Sequence, residues 1–121
     1  MSWTAQPDGA LAGELIATNV SDHRVRLSGK PALLPLTRDG MPLDAMTVVT
    51  AEFVVPGYVI VGPGKSVSAD VGWAGWNGPD PSGDLVVRWP GGQATIRPEG
   101  PRRPPANGPA TNLWSTWFRP R

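Results

Sequence analysis

Several stretches of this chain carry residue types that do chemistry in other proteins, and the first ends like a phosphate-binding loop. Gly64-Lys65-Ser66 supplies the last three residues of that motif. The motif also needs a glycine five residues before Gly64, so that backbone amides can wrap around phosphate. Position 59 is a valine, and the residues after Ser66 alternate as a strand rather than a helix. We therefore interpret Gly62-Pro63-Gly64 as a turn.

His23 is the single histidine, and the chain has no cysteine. A metal site would need further ligands, but the neighbours of His23 are one carboxylate, Asp22, and one repelling cation, Arg24. The pattern predicts a solvated turn histidine, and we expect neither a metal nor another cofactor. Without cysteine, disulfides and thiol chemistry are excluded.

Two carboxylates, Asp80 and Asp84, lie close to Trp76 in a loop. Paired carboxylates in a pocket are the basis of glycoside hydrolysis and of other general acid-base chemistry. The ten acidic residues of the chain are otherwise scattered over turns and outer strand faces, where they serve solubility. The sequence therefore predicts that the protein is not an enzyme, and an enzyme with an unrecognised site is kept as an alternative.

The six tryptophans give the strongest functional signal. Trp73 and Trp89 are in phase with the apolar faces of their strands, which predicts that they lie in the core. Large aromatics outside such faces, with arginines nearby, are typical of contact surfaces. The leading hypothesis is a binding or assembly module with contact residues Trp76, Trp114, Trp117, Phe118, Arg102 and Arg103. The alternative is a small-molecule or carbohydrate-binding sandwich in which Trp3 and Trp76 stack on sugars beside Asp80 and Asp84.

Length and composition limit the fold and the partners. A chain of 121 residues supports one domain. Fifteen glycines, fifteen prolines and repeated period-two alternation predict an all-β protein. A net charge of +1 gives no reason to expect nucleic acid, and no apolar run approaches a membrane span. We expect a protein partner or self-association. The chain as given suggests the cytoplasm, whereas an excised domain would fit the cell envelope or secretion.

Alternating apolar residues predict about eight short strands. The stretch Asn19 to Pro31 is the centre of this pattern, because Asn19, Ser21 and Asp22 favour a turn between two strands. Pro35 inside an apolar run predicts a sheet edge or a bulge, and Asp39-Gly40 predicts a tight turn. A short helical turn competes over residues 46–53. The alternation is less regular over residues 41–50. The predicted strands cover residues 11–19, 24–28, 32–37, 58–61, 65–73, 85–89, 93–97 and 113–118.

The chain divides into four parts by composition. Residues 1–10 form a polar lead-in, partly ordered at best, and residues 11–97 form the body of the sandwich. Residues 98–110 are a linker rich in proline and arginine, and residues 111–121 hold an aromatic C-terminal strand. The linker spans roughly 30 to 35 Å when extended. The last strand therefore either pairs within its own sandwich or crosses to a neighbouring molecule.

The turn and core positions also resemble a known family. Gly13, Asn19, Leu27, Gly29 and Pro31, the Asp39-Gly40 turn, the Gly62 to Gly64 turn with Ala69, Trp73, and the closing WSTWFRP segment are similar to the DUF4232 family, an actinobacterial domain of unknown function. The resemblance implies an immunoglobulin-like antiparallel β-sandwich with no established activity, often on secreted or membrane-anchored proteins. The chain departs from the family pattern in having Val25 where a cysteine is usual and Lys30 where a tyrosine is usual.

Overall fold

The computed structural model describes residues 1–43, 46–47, 57–106 and 112–121, and all regular structure within them is β. The strands are β1 (Trp3–Ala5), β2 (Leu11–Thr18), β3 (Val25–Ser28), β4 (Ala32–Thr37), β5 (Met46–Thr47), β6 (Tyr58–Val61), β7 (Ser66–Trp73), β8 (Pro81–Trp89), β9 (Gly92–Ile96), β10 (Asn112–Ser115) and β11 (Arg119–Pro120). The all-β prediction is confirmed. Residues 46–47 are a strand, and the rest of the segment for which a helical turn was considered lies outside the described residues.

The largest sheet has the order β1-β2-β7-β10-β5, and β11 pairs with the same strand, β7, as β10 does. β7 is its centre, because it pairs with β2 over eight residues and with β10 and β11 on its other side. Its inward side chains are nearly inaccessible, with Ala69 and Val71 at 0% exposure. The segment with the most regular alternation in the sequence therefore forms the middle of the fold.

Two smaller sheets supply the other inner faces of the sandwich. One pairs β3 with β6, and the other has the order β4-β8-β9. Their inward residues, among them Leu33, Val61 and Leu85, join those of β2 and β7 in one hydrophobic core. The pairings are antiparallel except for the short parallel contact of β5 with β10. The chain is thus a sandwich-like single domain.

The turn chemistry of the sequence has the predicted effect at three places. β4 is an edge strand, and its register shifts between Pro35 and Thr37. The Asp39-Gly40 turn is closed by a bond from the Gly40 amide to the Thr37 carbonyl oxygen at 3.0 Å, with Gly40 at φ +81°. Lys65 N donates to Gly62 O at 3.0 Å, so Gly62 to Gly64 is a turn.

The Asn19 turn joins two strands, β2 and β3, as predicted, and these strands belong to different sheets. It does not join two strands that pair with each other, because β2 pairs with β7 whereas β3 pairs with β6. The turn instead carries the chain from the large sheet to the two-stranded β3–β6 sheet. Asn19 is 8% exposed, and its side-chain amide donates to the carbonyl oxygens of His23 (2.8 Å) and Val61 (2.9 Å). One side chain therefore fixes the crossing between sheets.

The N-terminal lead-in and the described part of the proline-rich linker contact each other. Residues 3–5 form β1 on β2, and Trp3 is 5% exposed. The Trp3 amide donates to Glu99 O at 2.8 Å, and the Glu99 amide donates to Met1 O at 3.1 Å. The described part of the linker, residues 98–106, thus packs on the first residues of the chain because backbone groups of both segments bond each other.

Candidate functional site

Trp76, expected on a contact surface, lies inside the fold. Its side chain is 4% exposed and packs against Trp73, with ring centroids 5.9 Å apart at 54°. Its indole Nε1 donates to Pro79 O at 2.7 Å, and its loop closes over the ring at Gly78. The ring is buried because the loop folds around it. Neither Trp76 nor Trp3 is therefore placed to stack on a sugar from solvent.

The C-terminal aromatics divide between core and surface. β10 pairs with β7 of its own chain, so the last strand is internal to this sandwich. Leu113 is 2% exposed, whereas Trp114 is half-buried and lies over Gly72. The strand ends at Ser115, and Thr116 donates its amide to Asp70 O at 2.8 Å. This interruption breaks the expected alternation, and Phe118 lies in the core at 8% exposure.

The remaining predicted contact residues lie on the surface but are not grouped with the buried rings. Trp117 is half-buried with its ring edge near Gly57, and Arg102 and Arg103 are exposed. The side-chain stem of Arg102 lies against Gly83, and Arg103 Nε is 3.9 Å from Asp80 Oδ1. The structure thus does not bring the six predicted residues together into one exposed aromatic surface.

Asp84, the other carboxylate near Trp76, is held by an arginine. Arg97 donates from Nε to Oδ1 at 2.6 Å and from a terminal nitrogen to Oδ2 at 3.2 Å. The hydrogen bond from Arg97 lowers the pKa of Asp84 below its ordinary value of 3.8. Asp80 lies 3.6 Å from Arg38 and 3.9 Å from Arg103. Both carboxylates are thus charge-compensated, and the described residues hold no acid or histidine cluster suited to a metal ion.

This pairing predicts a pH-dependent contribution to stability. The folded pKa of Asp84 is lowered, so the pair contributes above pH 3.8 and the contribution is lost as the pH falls through the lower folded pKa. Asp84→Asn is expected to lower the urea midpoint at pH 7 and to leave it unchanged in strong acid. Glu99→Gln, at an exposed carboxylate, is the control and should change neither midpoint. An equal loss for Asp84→Asn at both pH values would contradict the assignment.

The structure has an open cavity that the sequence did not indicate, which we name the edge cleft. Its volume is about 430 Å³, within the range typical of ligand sites. No Asp, Glu, Lys or Arg lines it, and its polar lining residues come from one end, the β2–β3 turn with Thr18. The lining comprises Leu15, Ile16, Ala17, Thr18, Asn19, Val20, Ser21, His23, Val25, Leu27, Val61, Val87, Trp89, Ala94, Ile96 and Phe118.

Small inward residues on β9 and β2 explain why the edge cleft is open. Ala94 on β9 lies opposite Val87 and therefore shares its inward face. Val87 is 4% exposed, yet Ala94 is exposed. Ala17 on β2 is the other small inward residue of the lining. Each of these alanines contributes only a methyl group at a position where a larger side chain would fill the space between the sheets.

The apolar walls of the edge cleft are incompletely covered. The inward residues Val25, Leu27, Trp89 and Ile96 are only partly buried, and Ile16 beside them is 42% exposed. Inward apolar residues that stay in contact with water leave favourable burial unrealised, at about 25 cal/mol per Å². The cleft therefore offers its surface to an apolar group of another molecule.

The opening of the edge cleft is bordered by strands that have no ladder partner on one side among the described residues. β1 covers β2 only from Leu11 to Gly13, and over Glu14 to Thr18 β7 is the single ladder partner of β2 within the described strands. Among the described strands, β9 pairs with β8 alone and β3 pairs with β6 alone. The backbone N–H and C=O groups on these sides of the strands thus lie next to the apolar edge cleft.

Comparisons of the chain with protein-family models, with curated proteins and with solved structures find no match. The resemblance to the DUF4232 family stays a prediction. Among the described residues, no helix has the length and hydropathy that a membrane span requires.

Proposed function

We propose that this protein is a non-enzymatic binding module and that the edge cleft is its binding site. The observation that carries the proposal is the exposure of Ala94, an inward residue of the sandwich, at the mouth of an apolar cavity. In a closed sandwich such a position is covered by the other sheet. Most residues that line the cavity belong to paired strands, so the cavity is largely formed before binding, as most ligand sites are.

The residues that line the edge cleft determine which kind of chemical group can bind there. A charged group entering the edge cleft would lose its hydration without meeting an opposite formal charge, because no Asp, Glu, Lys or Arg lines the cavity. The Asn19 side chain is already engaged by two carbonyl oxygens and by the Ser21 amide. The occupant is therefore an uncharged apolar group.

The edge cleft takes the place of the aromatic contact surface that the sequence predicted. The class of function, a non-enzymatic binding module, stays the same. Trp76 and Phe118 are parts of the core, so an interaction through them would require the fold to open, whereas the edge cleft is accessible as it stands. Phe118 still contributes, because it forms part of the cleft wall. The segment between β10 and β11 thus supports the proposed site from inside.

The dye N-phenyl-1-naphthylamine, which is neutral and brightens in apolar surroundings, tests the proposal. It is expected to bind the wild-type chain saturably at one site. Ala94→Trp places a large ring in the edge cleft and should weaken this binding by roughly tenfold or more. Thr95→Trp is the matched control, because the next residue along β9 faces the other way.

Two results would contradict the proposal. One is an absence of saturable dye emission with the wild-type chain. The other is equal dye binding by the Ala94→Trp and Thr95→Trp chains, provided that the urea midpoints show both to be folded. Either result would remove the edge cleft as a binding site.

The immunoglobulin-like type of the sandwich and membership in the resembled family are likewise proposals. They are supported by the turns at Asp39-Gly40 and Gly62 to Gly64, which the resemblance names, and by the place of Trp73 at the end of the central strand.

A further inference from the structure

β9 has the features of a strand that accepts another strand. Natural edge strands are commonly protected by charged residues, prolines or bulges. β9 has the sequence GQATI, with no charge and no proline, and its pairing with β8 is regular from Gly92 to Ile96. β9 is an edge strand of the described sheets, and its inward residues Ala94 and Ile96 line the cleft.

The register of the β8–β9 hairpin shows which backbone groups of β9 point away from β8. Trp89 and Gly92 flank a two-residue turn of Pro90 and Gly91, so they form a hydrogen-bonded pair. Bonded and non-bonded pairs then alternate along an antiparallel ladder. Ala94 and Ile96 bond to β8, whereas the N–H and C=O groups of Gln93 and Thr95 point away from it.

We propose that the occupant of the edge cleft is an extended, uncharged segment of a partner protein that pairs antiparallel with β9; this rests on the proposed function of the cleft. The N–H and C=O groups of Thr95 and Gln93 that point away from β8 would bond the backbone of the segment. Residues of the segment directly opposite them would share the outer face, and the alternating residues would place their side chains inward.

The walls of the cleft match such a segment. Ala94 and Ile96 are two residues apart on the inward face, so an added strand would continue that face with side chains at the same spacing. Because no formally charged side chain lines the cleft, these inward side chains are apolar and uncharged. Strand addition of this kind draws affinity from main-chain bonds and selectivity from alternate side chains.

The probe for the test is the acetylated and amidated peptide KTVTVTK, whose terminal lysines lie outside the strand core. Its valines face the cleft, and its threonine amides point to β9. The peptide is expected to bind the full chain and to displace N-phenyl-1-naphthylamine. N-methylation of the threonine amides should weaken binding roughly tenfold, since it removes bonds to β9. N-methylation of the valine amides, which point away, should not.

Thr95→Pro tests the same bonds from the protein side. Proline removes the outward N–H at an edge position where no bond to β8 is lost. Peptide binding is expected to fall roughly tenfold, while dye binding stays unchanged; Thr95→Val is the matched control and should bind both. If Thr95→Pro prevents folding, the pair of N-methylated peptides decides the question alone.

The outcomes separate this proposal from the one on which it rests. Equal binding of all three peptides, or dye binding without any peptide binding, would overturn strand addition and leave the edge cleft as a site for other apolar ligands. Light scattering that shows a dimer sensitive to Thr95→Pro would also overturn it, because the occupant would then be a second copy. If N-phenyl-1-naphthylamine does not bind to the wild-type chain, the result contradicts the proposed function of the edge cleft, on which strand addition rests.

Discussion

A chain that ends after Gly100 is expected to lose its cooperative unfolding transition. β10 lies inside the large sheet between β7 and β5, so its removal exposes the side of β7 that carries β10 and β11. The cut also removes Leu113 and Phe118, which are 2% and 8% exposed. Losing two such side chains costs about 5–10 kcal/mol, which is comparable to the whole stability of a small domain.

A chain that ends after Phe118 is the matched control. It keeps β10 and both buried side chains and loses only β11 with Arg119 and Arg121, whose ion pairs to Asp70 and Glu14 are solvent-exposed. Exposed pairs contribute little, so this chain should unfold cooperatively at a slightly lower urea midpoint. Circular dichroism during urea unfolding distinguishes the two chains. A sharp transition of the shorter chain would show that β10 is dispensable.

The elements that alternate regularly could be predicted from sequence. β7 alternates without interruption and became the centre of the large sheet, and Pro35 predicted an edge with an irregular register. In both cases the local pattern and the tertiary environment agree, since a residue that cannot donate to a ladder suits an edge.

The buried aromatics could not be placed from sequence, because burial in loops depends on segments that are distant in the chain. Trp76 is covered partly by its own loop, and its backbone amide lies 3.4 Å from Pro105 O. Trp3 is fixed by a bond to Glu99 O. Phe118, predicted as a contact residue, is also buried, and it lies where the strand has stopped at Ser115 and not yet resumed as β11. A break of this kind leaves no periodic signal.

The edge cleft depends on the same kind of long-range contact. Ala17 and Ala94 are unremarkable alanines at inward positions of separate strands, and only the topology brings both to one cavity. The sequence does contain the other half of the signal: β9 lacks the charge or proline that usually protects an edge. That absence has meaning only after β9 is known to be an edge.

Asn19→Ala is expected to destabilise the fold by about 2–4 kcal/mol, through lost hydrogen bonds and carbonyl groups left without a donor. The Asn19 amide nitrogen bonds His23 O and Val61 O, and its Oδ1 accepts from the Ser21 amide at 3.0 Å and hydroxyl at 2.6 Å. Val20→Ala is the control, because Val20 is 95% exposed and such changes stay within about 0.5 kcal/mol. The midpoint and slope of urea unfolding measure both.

Asn19→Asp separates the hydrogen bonds from the shape of the side chain. Aspartate has nearly the same volume and can still accept from Ser21, but an ionised carboxylate donates nothing to His23 O or Val61 O. It also brings a negative charge against two carbonyl oxygens. At pH 7 this variant is therefore expected to be at least as unstable as Asn19→Ala. Wild-type stability would mean that the turn holds the sheets together by packing, and that the two donated bonds are dispensable.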